Sequence, residues 1–201
     1  RNVIAHRSIA MIATAAGSVP WKLAERRARG ASRILEQHPL LNLLNKPNPL
    51  QGGTELCEAL YAHRLIAGNS YLHAIGPRDA SPLELHVLRP DRVSIIPGQG
   101  GVPKAYRYSI DDRAMDIPVD AITGQSRILH LKTFHPLDDW YGLSPVEAAA
   151  YSIDQHNQCG AWNQALLQNG ARPSGALMVK AGEGQPGTLT ETQDWMKTNQ
   201  E

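Results

Sequence analysis

The segment opening at Ser144-Pro145-Val146-Glu147 constrains this chain more than any other. Serine with glutamate three residues on is a capping box, in which the Ser oxygen and the Glu carboxylate satisfy free amides; proline suits the first helical position, where no N–H is needed. From that cap the pattern predicts an unbroken helix to about Asn169, with Gly170 as terminator. Such a helix would be about 39 Å long, well above the usual length in a small domain. Its composition is unsuited to a buried core. Gln155, His156, Asn157, Gln158, Asn163, Gln164 and Gln168 are polar but mostly uncharged, while Ile153, Trp162 and Leu166 supply little apolar surface. A helix of this kind calls for completion by a neighbouring subunit.

The elements before it predict an α+β fold. Ile4, Ser8, Met11, Ile12 and Ala15 fall on one face of a first helix, about 2–16, stopped by Gly17-Ser18-Val19-Pro20. Basic Arg1–Arg7, apolar Ile9–Ala16 and Ala13-Thr14-Ala15 imitate a targeting signal. The apolar run is too short to span a bilayer, so we read an amphipathic helix. Trp21–Glu25 reads as a short strand, and Arg26, Arg27, Arg29 and Arg33 as a solvated loop, or else a phosphate or acidic-partner patch. Asn45-Lys46-Pro47-Asn48-Pro49 excludes regular structure. A helix resumes near Thr54 as N-cap, carries Leu56, Leu60 and His63 on one face, and ends at Gly68. Leu83, Leu85 and Val87 alternate with Glu84 and His86, and Tyr106, Tyr108 and Ile110 with Arg107 and Ser109, which is strand periodicity. Arg92–Ile96 and Arg127–Thr133 add two more strands. Pro and Gly turns between short strands predict a mostly antiparallel sheet with helices before and after it. Beyond the long helix we expect a strand from Gly175 to Lys180, a glycine loop, and a helix opened by Thr188 or Thr190. The chain begins with Arg1 and breaks off inside helix-like Trp195–Glu201, so longer ends are expected on both sides.

The chemical inventory is thin. A formal net charge of +1 argues against a binder that works by neutralising phosphates. Cys57 and Cys159 are far apart and read as ordinary thiols of a reducing cytoplasm. Gly182-Glu183-Gly184-Gln185-Pro186-Gly187 matches the dinucleotide pattern GxGxxG between a predicted strand and helix. Glu183 would set negative charge against a pyrophosphate, however, and Pro186 removes an amide, so a hairpin-like loop is the better reading. His130, His135, Asp138 and Asp139 are the densest set of metal-ligand types, but they span a strand end and a loop and are ordinary turn residues. No Walker A sequence and no GxSxG elbow is present. The sequence therefore implies no cofactor, no metal and no catalytic residue, and favours an interaction protein.

The order of landmarks adds a resemblance. His38-Pro39-Leu40-Leu41-Asn42-Leu43-Leu44 followed by Pro47-Asn48-Pro49, then Gly68-Asn69-Ser70-Tyr71, Leu88-Arg89-Pro90-Asp91-Arg92-Val93 and Ile128-Leu129-His130 appear in sequence. Tyr141-Gly142-Leu143-Ser144-Pro145 and Asn169-Gly170-Ala171-Arg172-Pro173-Ser174-Gly175 complete the series. In this order they resemble the portal proteins of long-tailed phages with the Hong Kong type of capsid, a family that includes gene transfer agent portals. Nearly the whole chain is covered.

The resemblance implies a non-enzymatic subunit of a homo-oligomeric ring, a dodecamer in the family, at one capsid vertex of a virion assembled in bacterial cytoplasm. Its partners would be the terminase large subunit, a head-completion or adaptor protein, the major capsid protein, and double-stranded DNA passing without sequence specificity; no membrane is implied. Residues 1–140 would be the wing, 141–170 a stem helix and 171–201 the start of the clip. The family's second stem helix, tunnel loop and crown would follow residue 201. Gln155, Gln158, Gln164 and Gln168 become candidates for the channel wall or intersubunit contacts, and Glu183, Thr190 and Asp194 for the clip surface. Gly68, Gly142 and Gly170 read as backbone devices rather than binding groups. Three rival readings are an oxidoreductase fragment using the 182–187 loop, a metal-dependent hydrolase at His130 and His135, and a nucleic-acid-binding module.

Overall fold

The computed structural model describes residues 2–26, 32–77 and 80–170. The chain divides into two units, residues 1–157 and 158–201. In the first, helix α1 (Val3–Gly17) is followed by the hairpin β1 (Leu23–Arg26) and β2 (Ser32–Leu35), then helices α2 (Pro39–Asn45) and α3 (Gly53–Ala67). Six strands follow: β3 (Asn69–Ile75), β4 (Glu84–Leu88), β5 (Val93–Ile96), β6 (Ala105–Ile110), β7 (Arg113–Pro118) and β8 (Ile128–Lys132). Helix α4 (Pro145–Ala148) then leads into α5 (Ala150–Gln168), whose residues from Gln158 onward belong to the second unit. Every strand pairing among the described residues is antiparallel, in sheets ordered β1-β2, β4-β3-β8 and β5-β6-β7. The α+β reading holds, with three small sheets in place of one.

Helix α1 packs on α3 through small residues. Ala13 and Gly17 are its buried positions, and at Gly17 even a Cβ would stand 3.0 Å from the Thr54 carbonyl. The apolar stripe that predicted the helix is not the packed face: Ile4, Met11 and Ile12 remain more than half exposed. Close backbone approach needs small side chains, so periodicity located the helix and misplaced its seam. At α3 the start also shifts. Gly52 is the N-cap, its N–H donating to Glu55 Oε2 at 3.0 Å, and Thr54 lies one residue inside the helix. Leu56 is buried as expected.

The segment between α2 and α3 is irregular but fixed. Buried Asn48 accepts at Oδ1 from the amides of Leu50 (2.9 Å) and Gln51 (2.8 Å) and donates from Nδ2 to Leu85 O (2.9 Å). Together with Leu85 N donating to Pro47 O at 2.8 Å, this ties the Pro-Asn-Pro passage to β4. Part of the expected basic loop is strand: β2 begins at Ser32, and Arg33 pairs in register with Glu25; Arg27 and Arg29 lie outside the described residues.

The core lies where the two three-stranded sheets meet. Tyr71, Leu88, Val93, Ile95, Tyr106, Ile117 and Ile128 form one cluster, with Tyr108, Val119, Trp140 and Tyr141 against it. Alternation explains the selection: Tyr71 pairs with Leu88 on one side and His130 on the other, all pointing to this face, while α3 lies against β3. Burying each large apolar side chain contributes about 1.5–3 kcal/mol. Leu83, expected in β4, precedes the strand and is 70% exposed. Strand β7 follows β6 through a two-residue Asp111-Asp112 turn with Asp111 at φ 50°, the positive φ that such tight hairpins demand.

His130 stacks on Tyr71, with ring centroids 4.4 Å apart and planes 19° from parallel. Burial, aided by the positive charge of Lys132, lowers its pKa to about 4. An unfolded histidine titrates near 6.5, so the unfolded chain binds that proton first. The stability contributed by neutral His130 is complete above about pH 6.5 and is lost as the pH falls toward about 4. His63 and His73 are shifted downward too, mainly by burial, and add slope of the same sign. We predict that the urea midpoint falls steadily across that window and that His130→Phe makes the fall shallower. An unchanged slope in the variant would contradict the assignment.

Candidate functional site

The predicted site residues around Gly68 and Gly142 come together as one buried joint. It links the end of α3, the start of β3, the end of β8 and the start of α4. Gly68 caps α3 at φ 70°, a left-handed conformation that ends the helix. A Cβ on Gly68 would stand 2.2 Å from Gly142 O, and one on Gly142 would stand 2.2 Å from Gly68 O. The two backbones touch where no side chain fits, which is why both positions carry glycine.

Asn69 closes the joint with its whole hydrogen-bonding capacity. Its Nδ2 donates to Ala67 O (2.9 Å) and Gly142 O (3.3 Å). Its Oδ1 accepts from Gly142 N (2.8 Å) and from His130 Nε2 (3.0 Å). Because Gly142 N–H can only donate, Oδ1 is the acceptor, and the neutral His130 carries its proton on Nε2. Thr133 N donates to Gly68 O at 2.9 Å, and the Thr133 hydroxyl reaches Gly68 O and Leu143 O. Tyr141 packs against the core cluster, and its hydroxyl accepts from Ile95 N at 2.9 Å.

Ser144 carries the connection into the helix. Its Oγ accepts from the amides of Val146 (3.0 Å) and Glu147 (3.4 Å), the serine half of the expected capping box; the Glu147 carboxylate makes no bond back to the Ser144 amide. Its proton is directed back at Ile66 O (2.7 Å), with Leu65 O at 3.0 Å. One hydroxyl thus serves the free carbonyls ending α3 and the free amides opening α4. The helix is not unbroken: Ala149, at φ −95° and ψ 6°, separates α4 from α5.

Helix α5 runs 19 residues, about 29 Å, and has no buried residue. Gln155, Gln158, Gln164 and Gln168 are all exposed. Sequence reasoning weighed the amides and missed the aromatic residues. Tyr151, Gln155, Cys159, Trp162 and Leu166 follow spacings of four, four, three and four, one continuous helical stripe. Tyr151 is 83% and Trp162 67% exposed. That spacing was visible, but Trp162 and Leu166 were counted as meagre core rather than as an unpartnered face. Asn169 and Gly170 end the described helix, Gly170 at φ 64°. Pro173, Gly175, Glu183, Thr190 and Asp194, with the 182–187 loop and its flanking elements, lie outside the described residues.

The four residues weighed as metal ligands are engaged separately. His130 is held by Asn69, and His135 Nδ1 accepts from Leu137 N at 3.0 Å. Asp138 Oδ1 accepts from the amides of Trp140 (2.7 Å) and Tyr141 (3.0 Å), which hold its carboxyl below the usual range. Among the described residues no three His, Cys, Asp or Glu side chains stand together as a potential metal site. No described helix is long and apolar enough to cross a membrane. Cys57 is buried and Cys159 exposed, and both are free.

Three glycine substitutions separate the causes at work in the joint. Gly142→Ala introduces only the clash, Gly68→Ala adds a left-handed φ, and Gly170→Ala has that φ with nothing within 4 Å. In urea unfolding we expect losses of about 2 kcal/mol or more for the first two and about 1 kcal/mol for Gly170→Ala. Equal losses at all three would contradict the close approach of Gly68 and Gly142.

Comparison with known proteins bears on the fold and the family. An uncharacterized protein of Rickettsia bellii (strain RML369-C) is 41% identical over 183 residues, 91% of this chain and 46% of its own length. Another of Rickettsia felis (strain ATCC VR-1525 / URRWXCal2) is 42% identical over the same shares. A chain in the solved neck of an empty GTA particle, computed with C6 symmetry, matches with a TM-score of 0.75 and 41% identity, over 100% of this chain and 53% of that one. A chain in the neck of a native GTA particle, computed with C12 symmetry, gives 0.69 and 40%, over 96% and 50%. This chain thus spans about half the length of these relatives. Residues 4–201 match the family profile described as phage portal protein, and the chain belongs to that family.

Proposed function

We propose that the chain is part of a ring subunit at one capsid vertex of a phage or gene transfer agent particle, through which double-stranded DNA is packaged and ejected. Residues 1–140 serve as wing, 141–170 as stem helix, and 171–201 as the start of the clip. The observation that carries this reading is the 40% identical match of 96% of the chain to a neck with C12 symmetry. Two physical features support it. Helix α5 buries no residue in its own described chain and is held there only near its start, by Asn2 on His156 and Asn157; a ring supplies the cover it lacks. A formal charge of +1 suits a wall past which a polyanion slides without being gripped.

In this reading the subunit is structural and catalyses nothing. The ring is a dodecamer, assembled in bacterial cytoplasm and retained in the virion. Gln155, Gln158, Gln164 and Gln168 face the channel or a neighbouring copy, Gln155 on the same packed stripe as Tyr151 and Trp162. Glu183, Thr190 and Asp194 face the terminase large subunit during packaging and the head-completion protein afterwards, and the wing meets the major capsid protein.

The test is negative-stain electron microscopy of the purified full-length protein, with its mass in solution. We expect closed rings with a central hole wide enough for duplex DNA, and DNA binding that is weak at 0.15 M salt. A monomer or dimer at every concentration would overturn the proposal.

A further inference from the structure

Alongside the joint, α1, α3 and the α4–α5 segment enclose an open groove of about 410 Å³. Ile4, Ile9 and Ile12 form one wall, Val146 and Ile153 the other, and Leu65 lies between them. No Asp, Glu, Lys or Arg lines it. Its polar lining is confined to Asn2, Ser8, Ser152 and His156, with Asn2 Nδ2 3.1 Å from His156 Nδ1, and offers no Lys or Arg to hold a polyanion. The groove exists because Ala13 and Gly17 take the seam with α3 and leave the isoleucine side of α1 free.

The same chain presents a matching projection. Phe134, its single phenylalanine, is 86% exposed, and Leu137 is 91% exposed. Neither lines the groove of its own chain. Their loop is well secured: Leu137 N donates to His135 Nδ1, Trp140 N and Tyr141 N donate to Asp138, and Lys132 Nζ donates to Asp139 O. The loop thus holds two large apolar side chains outward, where a partner can cover them.

We propose that the occupant is a second copy of this chain: Phe134 and Leu137 of one subunit insert into the α1/α4–α5 groove of the next. The inference rests on the ring reading above. Cyclic symmetry above two-fold requires head-to-tail contacts, in which each copy offers two different, complementary patches. The solved relatives matching this chain were computed with C6 and C12 symmetry. A mostly apolar groove and an apolar projection on one chain are such a pair.

Disulfide trapping tests this in the full-length protein with Cys159→Ser, leaving buried Cys57 in place. Leu137→Cys is combined with Ile12→Cys, and separately with Ile4→Cys; all three positions are exposed, so folding should survive. After mild oxidation of assembled rings we expect a covalent ladder extending to the whole ring from a double variant, and none from the single variants. Leu137→Asp should raise the concentration needed for assembly about tenfold or more. Rings that form without a ladder in either double variant would overturn the groove assignment and leave the ring reading standing. That result is also the one expected if a small apolar molecule or another part of the same chain fills the groove. Absence of rings in the parent protein would overturn both.

Discussion

The hydrogen bonds of one side chain hold the rest of this structure in place. Asn69 sits at the point where α3 ends and β3 begins, and it spends two donors and two acceptor positions on Ala67, Gly142 and His130. Gly68 and Gly142 bring two backbones into contact beside it, and Ser144 then starts α4 from the last carbonyls of α3. The path from sheet to exposed helix is therefore set by backbone approach and buried hydrogen bonds. Polar networks of this kind rigidify when fully satisfied and are costly when any member is lost. In the proposed ring, α5 would need such a fixed root.

What the joint supports is a helix unsuited to standing alone. Helix α5 has no buried residue, and an isolated helix of this length is marginal in water. Its uncharged amides avoid both strong attraction to DNA and strong repulsion between copies, while Tyr151 and Trp162 give it apolar surface to bury. The proposed ring resolves both properties at once. The isoleucine groove and the Phe134–Leu137 projection extend the same logic to the other side of the joint. In both places the chain exposes apolar surface that a second copy can cover.

Much of this was legible in sequence where the cause is local. Ser144-Pro145 announced a helix start because capping depends on neighbouring residues, and Gly68 announced a helix end for the same reason. Tyr106 and Tyr108 revealed β6 through alternation. Three kinds of feature were not legible. The seam of α1 runs through Ala13 and Gly17, since close approach selects small residues while periodicity marks large ones. Helix α2 and strand β7 went unseen: Pro39 at the first helical position and the Asp111-Asp112 turn were the available signals. The role of Asn69 was beyond reach, because three of its four bonds go to Gly142 and His130, more than 60 residues away. The order of landmarks nevertheless pointed to the family before any distance was known.

The central claim is that α5 is completed by other copies of the chain. Hydrogen exchange at residues 150–168 tests it most directly, compared between assembled rings and dissociated subunits of the full-length protein. Slow exchange along α5 in rings and fast exchange in free subunits is the predicted result. Equal exchange in both states would show that the helix needs no neighbour and would contradict the account.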